Sequence, residues 1–168
     1  MKKNAPSMFL LSFSFLFLFV FLSGCIKAFM PVSTLESDQD FSPYVLCVPL
    51  TSERQSAVVS RVIDGDSIEI LRDGVQYQVR YIGIDAPEYG VGADGLAEMS
   101  RQFNQDLVGE KKVALFRDVS DKDRFGRLLR YVFVEDLFVN QEMVRQGFAE
   151  SKAYPPDLAC QNVISKNN

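Results

Sequence analysis

Apolar residues fall along this chain in three regimes. Met8 to Leu22 is almost wholly apolar, residues 26–56 are polar with scattered Pro, and from Ala57 onward the two classes interleave periodically. Val58, Val59, Val62 and Ile63 form a β-rich run that stops at the turn signal Asp64-Gly65-Asp66. Ile68 to Arg72 gives a second strand, closed by Asp73-Gly74, a two-residue hairpin signal. Val75, Tyr77, Val79 and Tyr81 then alternate with Gln76, Gln78 and Arg80, the period of a half-buried strand that Gly83 to Pro87 ends. Leu96, Met99, Phe103 and Leu107 recur at helical spacing between Asp94 and Gly109, predicting an amphipathic helix with cap signals at both ends. Lys112 to Arg117 and Leu128 to Val134 read as two more strands around the charged turn Asp121 to Arg127. Asn140 is placed to cap a short helix through Gln146, stopped by Gly147. The order β-β-β-α-β-β-α predicts a mainly β fold with α, a five-stranded OB-type Greek-key barrel with two or three helices.

The first regime reads as an address. Met1-Lys2-Lys3-Asn4 is a positive start, and the apolar run that follows holds six Phe and no charge. About 20 apolar residues are needed to span a bilayer, so the run better suits a secretory signal. It ends in Leu22-Ser23-Gly24-Cys25, which resembles a bacterial lipobox. That resemblance implies a signal peptide over 1–25, with Cys25 lipidated and heading the mature chain on the membrane. An uncleaved anchor helix or an ordinary signal also fits the run, and every reading puts the protein outside the cytoplasm. Residues 26–56, with Glu36, Asp38, Asp40, Pro31, Pro43 and Pro49, are expected to be a tether, and 57–168 the folded domain.

Composition narrows the chemistry. The chain has no His and no Trp, which excludes Ser-His and Cys-His nucleophile systems and imidazole-ligated zinc. Three Cys cannot make a four-thiolate metal site. With residues 1–25 removed, 16 basic residues face 22 acidic ones. No general basic field results, so a polyanion site has to be local, made by a few Arg or a cation. Cys47 and Cys160 lie just before the first strand and just after the last helix. Outside the cytoplasm they suit a disulfide closing the ends of the domain, or two separate thiols.

Three loops concentrate unusual polar residues: Ile63-Asp64-Gly65-Asp66-Ser67, Arg80 to Glu88, and Asp123-Arg124-Phe125-Gly126-Arg127-Leu128. Together these blocks resemble the staphylococcal nuclease (thermonuclease) family, over about Val58 to Tyr154. Two carboxylates at converging strand ends repel unless a hard cation joins them, and Ca²⁺ takes such oxygen ligands. The resemblance implies Asp66, Asp85 and the backbone carbonyl of Ala86 as Ca²⁺ ligands, with Asp64 beside them holding metal-bound water. Glu88, aimed from the stiff turn after Pro87, is implied as the general base or as the group that orients the attacking water. Arg80 and Arg127 are implied to flank the phosphodiester and stabilise charge in the five-coordinate transition state, a task that suits their forked donors. The products expected from the family carry 3′-phosphate ends, with DNA, and RNA as a second class, as substrate.

The chain departs from the family pattern in several places. Ser67 and Ala86 stand where Thr is usual, and Phe125 where the family's reference enzyme has Tyr. Tyr89 to Asp94 is short and acidic where that enzyme has a Lys-rich loop. Tyr154 reads either as a base-stacking ring at the pocket rim or as packing beside Pro155-Pro156. The segment Leu158 to Asn168 allows at most a short third helix. The rival reading is a non-catalytic OB module that binds single strands or a protein partner at the cell surface. A third is a structural lipoprotein that uses Ca²⁺ for stability alone.

Overall fold

The computed structural model describes residues 47–90 and 95–166. β1 (Gln55–Val62) pairs antiparallel with β2 (Ser67–Arg72), Val62 standing opposite Ile68, and a register shift between Val59 and Arg61 bends the ladder. β2 pairs antiparallel with β3 (Val75–Tyr81) around Asp73-Gly74, the hairpin read from the sequence. A short β4 (Ile84–Asp85) follows, then α1 (Gly95–Val108), β5 (Lys112–Phe116) and β6 (Leu128–Val134). The chain continues through β7 (Leu137–Phe138), α2 (Val139–Arg145), β8 (Glu150–Ser151) and α3 (Gln161–Ile164). β5 pairs antiparallel with both β1 and β6. β6 then closes on β3 in parallel, Val79 opposite Leu128 and Arg80 opposite Leu129. Five strands thus form a closed mixed barrel of the OB type, and closure removes the open edges that a sheet would expose.

The interior is filled by the inward positions of every strand, among them Val59, Ile68, Ile70, Val79, Leu115 and Val132. Cys47 and Cys160 form a disulfide across 113 residues, and Val48 is buried beside it. Within the segment expected to be a tether, Gln55 and Ser56 are the first residues of β1 and pair with Leu115 and Ala114. Cys25 and the apolar run lie outside the described residues, as does Asp94.

Two local expectations are corrected. Asn140 does not cap α2: Phe138 holds that position, and Asn140 is buried inside the helix. Its amide accepts the Val132 N–H at 2.9 Å and donates to the Ile82 carbonyl at 2.8 Å, tying strand β6 to the turn after β3. The apolar stripe of α1 is buried only in its second half, where Phe103 and Leu107 pack against the core. Ala97, Ser100, Asn104 and Val108 face inward, while Leu96 and Met99 are exposed. The reason is what the helix covers: a polar turn at the barrel's end along its inward face, with the apolar core meeting it at Phe103, Leu107 and Val108. Ser100 donates to the Phe148 carbonyl at 2.7 Å, and Asn104 accepts the Tyr81 hydroxyl at 3.0 Å and donates to the Asp64 carbonyl at 2.8 Å. Gly65 permits this approach, since a Cβ there would lie 1.9 Å from Ser100 Oγ and 2.8 Å from Ala86 Cβ.

The short third helix docks where β3 gives way to β4. Gly83 has φ +81, and a Cβ on it would meet Ile164 Cδ1 at 2.6 Å. Gln161 donates to Ser151 Oγ at 2.8 Å, and Gln141 donates to the Val163 carbonyl at 3.1 Å.

Candidate active site

The β1–β2 turn is stiffened by its own acids. Asp64 Oδ1 accepts the backbone N–H of Asp66 at 3.0 Å, the Asx closure that favours Asp in turns. Asp66 is fully buried; Ser67 Oγ donates to its Oδ1 at 3.0 Å and the Ala86 N–H to its Oδ2 at 2.6 Å. Because Ser67 stands opposite Arg80 across β2 and β3, the guanidinium reaches the same carboxylate: Arg80 Nη1 donates to Asp66 Oδ1. Its Nη2 donates to Asp85 Oδ1 at 2.7 Å and to the Ile84 carbonyl at 3.3 Å. Lys152 Nζ completes the group by donating to Asp85 Oδ2 at 2.6 Å.

The electrostatics follow from this geometry. Burial pushes the Asp85 carboxyl up, but hydrogen bonds from Lys152 and Arg80 outweigh it and hold Asp85 below the ordinary carboxylate range. At Asp64 burial dominates and raises the carboxyl, with Arg80, Ser67 and Arg127 offsetting it in part. Asp64 therefore lies within the field of both arginines.

Arg127 is delivered by a turn that Asp123 organises. The Asp123 carboxylate accepts the N–H groups of Phe125 at 2.9 Å and Arg127 at 3.0 Å, and Arg127 Nε at 2.7 Å. The parallel register of β3 and β6 sets this turn beside Arg80, and both arginines line one cavity of about 510 Å³. Lys122, Arg124, Phe125 and Tyr154 line it too. Phe125 is 68% exposed and Tyr154 42%, each with a cation over its ring (Arg124 at 4.6 Å from Phe125, Lys152 at 5.6 Å from Tyr154), in a basic cavity of an acidic protein. This is the local basic site that the charge balance demands. Glu88 is exposed on the turn after Pro87, outside that lining.

The structure therefore brings Asp66, Asp85, Ala86 and Arg80 together, and sets Arg127 on the adjoining cavity. No group of three or more metal-ligating acids is found among the described residues. The donor chemistry nonetheless suits a hard cation, because two carboxylates converge on one positive group, which is now the Arg80 guanidinium. Sequence reasoning missed Lys152 and Asn104. A lone Lys and a polar residue within a helix carry no pattern, and only the pairing of β4 with β8 and the packing of α1 on the Asp64 turn give them partners.

A sequence model of the family described as "Staphylococcal nuclease homologue" matches residues 78–166, more than half of the chain. The chain is 36% identical to the thermonuclease of Staphylococcus intermedius over 106 residues, 61% of this chain and 63% of that protein. It is 33% identical to the thermonuclease of Staphylococcus hyicus over 118 residues, 68% of this chain and 70% of that one. The endonuclease YncB of Bacillus subtilis (strain 168) is 32% identical over 107 residues, 61% of this chain and 51% of its own length. With a closed five-strand barrel whose loops gather the Asp66–Arg80–Asp85 cluster, this chain belongs to the staphylococcal nuclease family.

Proposed function

We propose that the protein is a Ca²⁺-dependent nuclease that hydrolyses phosphodiester bonds of DNA, with RNA as a second substrate class, and leaves 3′-phosphate ends. The observation that carries this reading is the Arg80 guanidinium shared by Asp66 and Asp85 at the edge of a basic, aromatic-lined cavity. Asp66, Asp85 and the Ala86 carbonyl would hold Ca²⁺, which when bound supplies positive charge against the phosphate. With the charge on the two carboxylates met by Ca²⁺, Arg80 would be able to turn its fork to a phosphate oxygen. Arg127, whose Nε bonds Asp123, has further donors for a second oxygen from the cavity side. Donors fixed where charge grows in the transition state are often the largest catalytic contribution. Glu88, held on the Pro87 turn, accepts the proton of the attacking water. Phe125 and Tyr154 stack a base of the bound strand. In this proposal the domain acts outside the cytoplasm, held to the membrane by a lipid on Cys25, where the Cys47–Cys160 disulfide persists.

The test is release of acid-soluble product from heat-denatured DNA by the purified protein, in Ca²⁺ and again in excess chelator. Cleavage that stops with the chelator is expected. Binding of the strand without cleavage in either condition would favour the non-catalytic OB module.

A further inference from the structure

The exposed start of the α1 stripe has a neighbour. Leu96, 45% exposed, borders a second cavity of about 300 Å³, whose other walls include Asp85, Ala86, Pro87, Phe148 and Glu150. This volume is at the low end of ligand sites, which run from roughly 300 to 1,000 Å³. The second cavity shares no described lining residue with the 510 Å³ cavity. The two meet through one ion pair: Arg80 lines the first, Asp85 lines the second, and they are 2.7 Å apart. A phosphodiester held at that pair has one nucleoside on each side, and each side has a cavity.

The lining chemistry of the second cavity selects what enters. Among the described residues it carries no Lys or Arg, and its charged groups are the carboxylates of Asp85 and Glu150. Asp85 is already paired with Arg80 and Lys152, so Glu150 is the lining carboxylate left to disfavour a phosphate there. Pro87, Leu96 and Phe148 offer apolar walls, and the Phe148 ring is held by stacking on Phe103 at 4.6 Å. Flat apolar faces and a carboxylate acceptor suit a nucleobase that presents ring or amino N–H donors, such as guanine.

We propose that this cavity is a second nucleoside subsite, on the side of the scissile phosphate away from the Phe125–Tyr154 cavity, and that Glu150 accepts N–H donors of its base. The proposal rests on the nuclease reading. It makes the enzyme a reader of both neighbours of the bond it cuts.

The test uses short single strands with one hydrolysable phosphodiester, flanked by guanine on both sides or by an abasic residue on one side or the other. Base stacking is worth about 1–3 kcal/mol, so each abasic replacement is expected to lower kcat/KM by roughly tenfold, chiefly through KM. Leu96→Asp should erase the penalty on one side only, and Phe125→Ala the penalty on the other only. Glu150→Gln should reduce the preference for guanine over an abasic residue on the same side as Leu96→Asp. A general structural defect would lower both sides together. Equal kcat/KM with guanine or an abasic residue on the Leu96 side would overturn the subsite, as would a Leu96→Asp variant that keeps both penalties. If the unaltered protein cuts none of these strands, the nuclease reading fails and the subsite with it.

Discussion

The protein contains two largely buried arginines on neighbouring barrel strands, and they are bound in opposite ways. Arg130 on β6 is 1% exposed; it donates to the Leu129 carbonyl at 2.7 Å, the Asp121 carbonyl at 3.0 Å, Gln55 Oε1 at 3.1 Å and Asp121 Oδ1 at 2.7 Å. Burial pushes its pKa down and Asp121 pulls it back up in part. Backbone carbonyls cannot leave, so this guanidinium is fully committed to the fold. Arg80 on β3 instead places its donors on two carboxylates and one carbonyl, at the edge of an open cavity. Carboxylates can change partners, taking a cation while the guanidinium takes an anion. On the proposed function, what separates Arg80 from Arg130 is the exchangeability of its acceptors, not its burial.

The largest effect expected separates the two sides by turnover. Arg127→Ala and Arg80→Gln should each lower kcat on single-stranded DNA by about 10²–10³, the scale of one lost transition-state donor. In Arg80→Gln the buried Asp66 loses a partner, so Ca²⁺ should raise its melting temperature more than that of the unaltered protein. An Arg80→Gln variant with full activity would break the comparison outright. Next in size is the covalent staple. Reducing Cys47–Cys160 releases a loop of 113 residues and should cost about 2–5 kcal/mol in urea denaturation. Arg130→Met comes third, at about 2–3 kcal/mol, because it leaves buried carbonyls without donors, and its folded fraction should keep its kcat. A loss of kcat there, with stability kept, would reverse the assignment of the two arginines.

The smallest effect is on pH dependence. The hydrogen bond from Arg130 holds Asp121 below the ordinary carboxylate range. At Asp123 burial raises the carboxyl, but hydrogen bonds from Arg127 and its turn prevail and depress it. A depressed folded pKa contributes stability above the unfolded value near ~3.9, and that contribution is lost as pH falls through the folded value. The Asp121 side chain is half exposed, so its share should stay below ~1 kcal/mol. The urea midpoint should therefore fall below about pH 4, and slightly less steeply in Asp121→Asn.

Much of the barrel was legible because alternation in Val75–Tyr81 and the Asp73-Gly74 turn are local signals. The pairing of Cys47 with Cys160 was legible as one of two options, from their positions at the ends of the domain. Arg130 was not, since its partners Gln55 and Asp121 reach it only through barrel closure. The buried face of α1 was legible only at Phe103 and Leu107, because helical periodicity weighs apolar residues while this helix also packs Ser100 and Asn104 onto a polar turn. In the site, the grouping of Asp66, Asp85 and Arg80 came from motif resemblance. The strand register that makes it physical, Ser67 opposite Arg80, followed from the hairpin. Lys152 on Asp85 was invisible, because β4 and β8 are two residues each.

The central claim is that Asp66 and Asp85 exchange Arg80 for a cation when the enzyme works. The most direct measurement is a Ca²⁺ titration of the cleavage rate of heat-denatured DNA, for the unaltered protein and for Asp85→Asn. The account predicts that Asp85→Asn moves the Ca²⁺ midpoint up by at least about tenfold, the cost of one carboxylate ligand on the scale of roughly 1.4 kcal/mol per decade. A midpoint unchanged by the substitution, or cleavage that needs no Ca²⁺ in either protein, would contradict it.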